Sequence, residues 1–307
     1  MKFIFGPVAS RRLGRSLGVD LIPYKTCSFD CIYCELGRTT HRTIDREEYI
    51  PHKEVIHSLK QYLKETTHPP DHITLGGSGE PTLHSQLGHI VSEIKNLSSI
   101  PVAVLTNASL LYQDEVKKEL LKADVILPSL DAASPSVFKY VNRPHPSLAI
   151  KAIIQGLKDF RKAFSGQIWL EILFCLGVND TREEINRLNE AVQEIDPDKI
   201  QLNSIDRPPA EEFTFPVTRE QLEHIKQRFG EKAEIITGSI NDDIEGVIVN
   251  GKRRVLDLLK RRPCTVDDIS RALGIHKKEL TSILELLIKE GKIYYRIHNN
   301  QCYYQVH

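Results

Sequence analysis

Between residues 19 and 205, short apolar runs alternate with longer amphipathic ones, and this alternation constrains the fold of the 307-residue chain more than any other feature. The apolar runs fall at 19–22, 72–76, 102–106, 125–130, 168–176 and 199–205. Between them, residues 52–65, 84–97, 114–122, 147–163 and 181–195 read as helices, the last with Ile185, Leu188, Val192 and Ile195 at helical spacing. Strands separated by helices pair in parallel through crossovers, not as hairpins. The expected fold is therefore α/β, with a parallel sheet that is either open and doubly wound or curled into part of a barrel.

Beyond this unit a proline-rich stretch covers 207–216, 218–229 reads as a helix, and 233–238 reads as a short strand. Residues 239–251 read as a linker. The remainder changes character: a helix at 253–261, a second capped by Thr265 and Asp268 and closed by Gly274, a third at 276–290, then strands at 292–297 and 302–306 around His298-Asn299-Asn300-Gln301. Three helices and a hairpin resemble a winged helix-turn-helix. The expected division is 1–238, a linker at 239–251, and 252–307.

The net charge of zero conceals a split. Residues 251–307 carry twelve Lys or Arg against six Asp or Glu, and the other 250 residues carry the opposite imbalance. No apolar run approaches the roughly 18 residues of a membrane span. The opening MKFIFGPVASRRLG lacks a leader pattern, so a cytoplasmic location without membrane contact is expected.

Three of the six cysteines stand in CSFDCIYC, residues 27–34, and the other three are scattered. Cys27, Cys31 and Cys34 suit a [4Fe–4S] cluster with one iron left open, with Tyr33 shielding one face. Zinc completed by His41 or a distant residue, or a merely structural loop, are the alternatives. After the second apolar run comes GGSGEPTL, a glycine-rich turn that exposes its backbone to a ligand and adds the carboxylate of Glu80.

CxxxCxxC with an aromatic before the last cysteine, followed one βα unit later by GGSGEP, resembles the radical S-adenosylmethionine superfamily. FGPVASRRLGRSLGVDLIPYKTCSFDCIYCELGRTT resembles the subgroup related to the tRNA wyosine synthases. The likeness covers roughly residues 1–206. It implies a partial (β/α)6 barrel, a cluster on the three cysteines, and a cosubstrate that chelates the open iron through its methionyl amino and carboxylate groups. On the same likeness Gly76, Gly77, Ser78 and Glu80 meet the methionyl amino group. Thr106 and Asn107 are further ligands, Ser129 and Asp131 reach the ribose, and Arg143 pairs with the methionyl carboxylate. The implied chemistry is reductive cleavage to a 5′-deoxyadenosyl radical that abstracts hydrogen, with electrons from a flavodoxin- or ferredoxin-type donor.

Wyosine synthases carry further cysteines upstream for a second cluster, and no cysteine precedes Cys27, so a reaction other than tricyclic base formation is expected. Glu171 and Cys175 on one strand, and Gln201 and Asn203 on another, are the candidate substrate residues. Arg11, Arg12 and Arg15 offer a site for an anionic group such as phosphate, with salt bridges to the acidic body as the alternative. Lys277 and Lys278 at the start of the third C-terminal helix, with Lys260, Arg261 and Arg262, form a basic surface. The expected substrate is RNA delivered by the C-terminal unit. A redox- or iron-sensing DNA-binding regulator, and a radical enzyme acting on a protein or small molecule, are the competing readings.

Overall fold

In the computed structural model, which describes residues 3–236, 251–275 and 277–306, five of the six apolar runs become strands of one sheet, and the first, 19–22, enters it only through Val19. β1 (Ile4–Ser10) and β2 (Gly14–Val19) form an antiparallel hairpin at one edge. A two-residue pair, β3 (Thr26–Cys27) with β4 (His41–Arg42), stands apart from it. β5 (His72–Leu75), β6 (Val102–Thr106), β7 (Val125–Pro128), β8 (Gln167–Phe174), β9 (Lys199–Ser204) and β10 (Ala233–Ile235) extend the sheet in parallel from β2, in that order. The connections carry α1 (His52–Glu65), α2 (Leu87–Leu97), α3 (Asp114–Leu120), α4 (Pro135–Val141), α5 (Ile150–Ala163), α6 (Arg182–Ile195) and α7 (Arg219–Phe229). Among the described residues no helix is long and apolar enough to cross a membrane.

Several elements depart from the sequence expectation, which has no counterpart for β1, β3 or β4. The first parallel strand is half of a hairpin and ends at Val19 instead of spanning 19–22; its sequence, GRSLGV, has too few apolar residues to announce a strand. The seven residues of α4 are too few to show a helical period.

The sheet curls. In a flat sheet β2 and β8 would stand roughly 19 Å apart, four strand spacings of ~4.8 Å. Yet Leu13, in the turn between β1 and β2, packs with Ala103 of β6, Val125 and Leu127 of β7 and Trp169 of β8. Arg12 in the same turn pairs with Glu171 of β8 at 2.7 Å. The architecture is thus a partial barrel with the hairpin turn reaching across its interior. β8 shows the two-sided consequence: Ile168, Leu170, Ile172 and Phe174 are fully buried in the main core, while Trp169, Glu171 and Leu173 alternate to the other face, half-buried.

The C-terminal segment follows its expected order: α8 (Gly251–Leu259), α9 (Val266–Leu273), α10 (Lys277–Lys289), then β11 (Ile293–His298) and β12 (Gln301–Val306). Thr265 and Asp268 make a reciprocal capping box, and Gly274 closes α9 in the left-handed region. Asn299 and Asn300, with φ of +48° and +58°, form the two-residue hairpin turn. Leu258, Ile269, Leu280, Leu284 and Leu287 build a separate core that also takes in Val8 of β1. The C-terminal unit therefore covers the edge strand that the barrel leaves open. Of the expected linker, 239–250 lies outside the described residues, as does His276, and Gly251 already opens α8.

If Leu13 fills the barrel interior, Leu13→Ala should cost about 3 kcal/mol in equilibrium denaturant unfolding. A loss below about 1 kcal/mol would mean that the turn is not part of the core.

Candidate active site

The cysteine loop is pinned by its own apolar residues. Phe29 and Ile32 are buried, and Phe29 meets Phe138 of α4 edge-to-face at 5.4 Å. The backbone N–H of Ile32 donates to the Val141 carbonyl at 3.0 Å, and that of Asp30 to the Asn142 carbonyl at 3.0 Å. With Phe29 and Ile32 turned inward, Cys27, Cys31 and Cys34 line one cavity of about 540 Å³. None is in a disulfide. Burial pushes the Cys27 thiol up to about 12, helped by the charge of Glu80, and burial pushes Cys34 up to about 11. Cys31 is raised too, by burial and then by Asp131. Amides face two of the sulfurs: Asn107 Nδ2 donates to Cys27 Sγ and Asn142 Nδ2 to Cys31 Sγ, each at 3.4 Å.

The glycine turn forms the neighbouring wall. Gly76 and Gly77 have φ of +148° and +147°, a region that side chains rarely adopt, and a Cβ on Gly77 would fall 2.5 Å from Asp20 Oδ1. Glu80 is buried with both oxygens engaged. Oε1 accepts the Thr82 N–H at 3.0 Å, the Thr82 hydroxyl at 2.5 Å and the Thr106 hydroxyl at 2.6 Å; Oε2 accepts the Asn107 N–H at 2.7 Å. Its carboxylate thus fastens the glycine turn to the end of β6. Burial raises its pKa against these four donors.

Of the other expected residues, Tyr33, Ser78, Thr106, Asn107 and Ser129 line the cavity, as do Glu171 and Asn203, joined by Asn203 Nδ2 to Glu171 Oε1 at 3.1 Å. Four do not. Asp131 lies behind the wall, accepting from the Tyr33 hydroxyl, from Asn142 Nδ2 at 2.8 Å and from the Leu173 N–H at 3.0 Å. Arg143 faces Glu211 at 2.5 Å on the far side of the cysteine loop. Cys175 follows the end of β8 and packs in the main core as a small hydrophobe. Gln201 is buried toward the sheet edge, donating to Glu234 at 3.0 Å. Arg11 and Arg12 line the cavity but already hold Asp206 and Glu171, and the Arg15 N–H is tied to Asp71 at 2.7 Å.

Sequence reasoning missed Asn142, Asp20 and the whole contribution of the C-terminal unit. Arg261, Arg262, Asp268 and Tyr303 line the same cavity, so Arg261 and Arg262 do not share an outer basic face with Lys260. Asp20 directly follows the end of β2, a position that could have flagged it.

Among the described residues no three His, Cys, Asp or Glu side chains converge closely enough for one metal ion. Three unbridged thiols on one wall, too spread for a single zinc and met by amide donors, fit a polynuclear cluster. The side-chain-free glycine turn beside them fits a ligand that must approach the backbone.

Glu80→Ala would strand four donors inside the protein. It should lower stability by about 3 kcal/mol in urea unfolding, whereas a loss under about 0.5 kcal/mol would show that the carboxylate is not the tie described.

Residues 21–188 match the model of the Radical SAM superfamily. The chain is 30% identical over 99% of its length to a UPF0026 protein of Methanocaldococcus jannaschii, covering 96% of that protein. It is 36% identical, also over 99% of its length, to a Brachyspira hyodysenteriae protein named GTPase Obg, of which it spans only 45%. Among solved structures, that of TYW1 with a lysine-pyruvate adduct bound is similar in fold, with a TM-score of 0.52 and 17% identity over 75% of this chain and 76% of that one. The chain belongs to the radical SAM superfamily, as an enzyme that works with a [4Fe–4S] cluster and S-adenosylmethionine.

Proposed function

We propose that Cys27, Cys31 and Cys34 hold the cluster, that the cosubstrate lies across Gly76, Gly77, Ser78, Thr106, Asn107 and Ser129, and that the substrate enters the same cavity against Glu171 and Asn203. The observation that carries this reading is the convergence of three thiols, a glycine cradle and the C-terminal unit on a single cavity. Held there and reduced by a flavodoxin- or ferredoxin-type donor, the cluster and cosubstrate would provide radical hydrogen-abstraction chemistry. The chain's own residues do the rest. Asn107 and Asn142 donate to ligand sulfurs, which stabilises negative charge there. Glu80 fixes the cradle, and the Arg12–Glu171 pair helps close the interior to water.

Residues 1–238 are, in this reading, the catalytic unit and 252–307 a winged helix-turn-helix that walls the substrate space. A cavity of about 540 Å³ is of small-ligand size. With the cosubstrate in place it has room for the reacting end of a substrate and not for a whole macromolecule. RNA related to that modified by the tRNA wyosine synthases is the reading favoured for the remainder. Its support is the basic C-terminal charge, exposed Lys277 at the start of α10, although paired to Asp267 at 2.7 Å, and exposed Tyr295 and Ile297 on β11. The Lys278 side chain lies outside the described residues.

Replacing Cys27, Cys31 or Cys34 with Ala should reduce iron from about four atoms per chain to near zero. Cys175→Ala and Cys264→Ala, in the cores, should retain it. Full iron in any of the first three would misassign the ligands. For the substrate, tRNA binding by the full chain should weaken with salt, and Lys277→Glu with Lys260→Glu should lower the log–log slope by about two. Salt-insensitive binding equal in both proteins would remove RNA and favour a protein or small molecule.

A further inference from the structure

The C-terminal unit is tied to the glycine turn through Asp20. Arg261, just past the end of α8, forms an ion pair with Asp20, and its guanidinium lies over the Phe5 ring at 4.2 Å from the centroid. Only 15% of the Arg261 side chain and 8% of that of Asp20 are exposed. Asp20 uses its other oxygen, Oδ1, to accept the Ser78 N–H at 3.0 Å. Phe5 backs the same turn: a Cβ on Gly77 would come within 3.1 Å of its ring, and one on Gly18 within 2.0 Å. The turn at 76–78 is thus held from behind by Asp20 and Phe5, and both are held by one arginine of the C-terminal unit.

This geometry has an electrostatic consequence. Removing one member of a buried ion pair leaves the other charge without compensation, at a far greater cost than a surface pair carries. Asp20 is comfortable in its place beneath the glycine turn only while Arg261 is docked. We propose that Asp20 and Arg261 are a positioning pair that couples docking of the C-terminal unit to binding of S-adenosylmethionine on the turn at 76–78; this rests on the cosubstrate reading above. The docked unit sets the turn for the cosubstrate, and by linkage the cosubstrate strengthens docking by the same factor. The wall that shapes the substrate space is thereby completed when the cosubstrate is in place.

The test uses the full chain with its cluster reconstituted. Asp20→Asn keeps an oxygen for the Ser78 N–H and replaces the charged acceptor facing Arg261 with an amide donor, and Arg261→Gln removes the charge from the other side. S-adenosylmethionine affinity would be measured by calorimetry, and amide exchange in α8 and α9 with and without it. Each variant should bind about tenfold more weakly at unchanged iron content, within the usual range of coupling between sites. The double variant should be no weaker than the weaker single. S-adenosylmethionine should slow exchange in α8 and α9 of the unaltered chain and not in the variants. Should Arg261→Gln lose the folded unit, Asp20→Asn carries the test from the barrel side. Unaltered affinity with protection retained, or losses that simply add, would overturn the coupling. Failure of the cosubstrate reading is separate: Gly77→Val would then bind S-adenosylmethionine as the unaltered chain does.

Discussion

The buried carboxylate of Glu80 is the interaction on which the site's geometry depends. Four donors from the glycine turn and the end of β6 converge on its two oxygens, and one of those donors, the Asn107 N–H, belongs to the residue whose side chain reaches Cys27. Burial alone would drive such a group toward its neutral form; the four donors oppose that. The result is a rigid link from cradle to cysteine loop, assembled from two backbone N–H groups that would otherwise lack partners and two threonine hydroxyls. Preorganisation of this kind matters in radical chemistry because the protein contributes placement more than acid–base catalysis.

The second constraint is closure of an incomplete barrel. A sheet whose edges, β1 and β10, do not pair leaves its interior open. Three features fill the gap: Leu13 packs inside, the Arg12–Glu171 pair spans the interior, and the C-terminal unit seals β1 through a core that includes Val8. Tyr303 of β12 adds a hydrogen bond to the Asp206 carbonyl, and Asp268 of α9 faces Arg207 at 3.8 Å. The C-terminal unit is therefore part of the cavity wall.

How much of this was legible beforehand follows from the range of the interactions. The βα alternation is local periodicity, and β6 occupies 102–106 as expected. The thiol cluster and the glycine turn are local too, since their chemistry lies in the spacing itself. Residues whose role depends on a distant partner were not readable. Asp131 and Arg143 stand at plausible positions in the chain, yet Tyr33 and Glu211 draw them out of the cavity. The β1–β2 hairpin was hidden because Gly6 and Pro7 interrupt β1 with a break in register, β2 holds few apolar residues, and the buried Leu13 packs against strands far along the sequence. Arg261 looked like one cation of a basic surface, and only the docked position of α8 turns it toward Asp20.

In the proposed reading the three thiols and the glycine cradle form one reductive site. Its most direct test is formation of 5′-deoxyadenosine from S-adenosylmethionine by the anaerobically reconstituted chain after one-electron reduction, without added substrate. 5′-Deoxyadenosine and methionine should form in equal amounts, with none from Cys31→Ala. A fully iron-loaded, reduced chain that binds S-adenosylmethionine and releases no 5′-deoxyadenosine would contradict it.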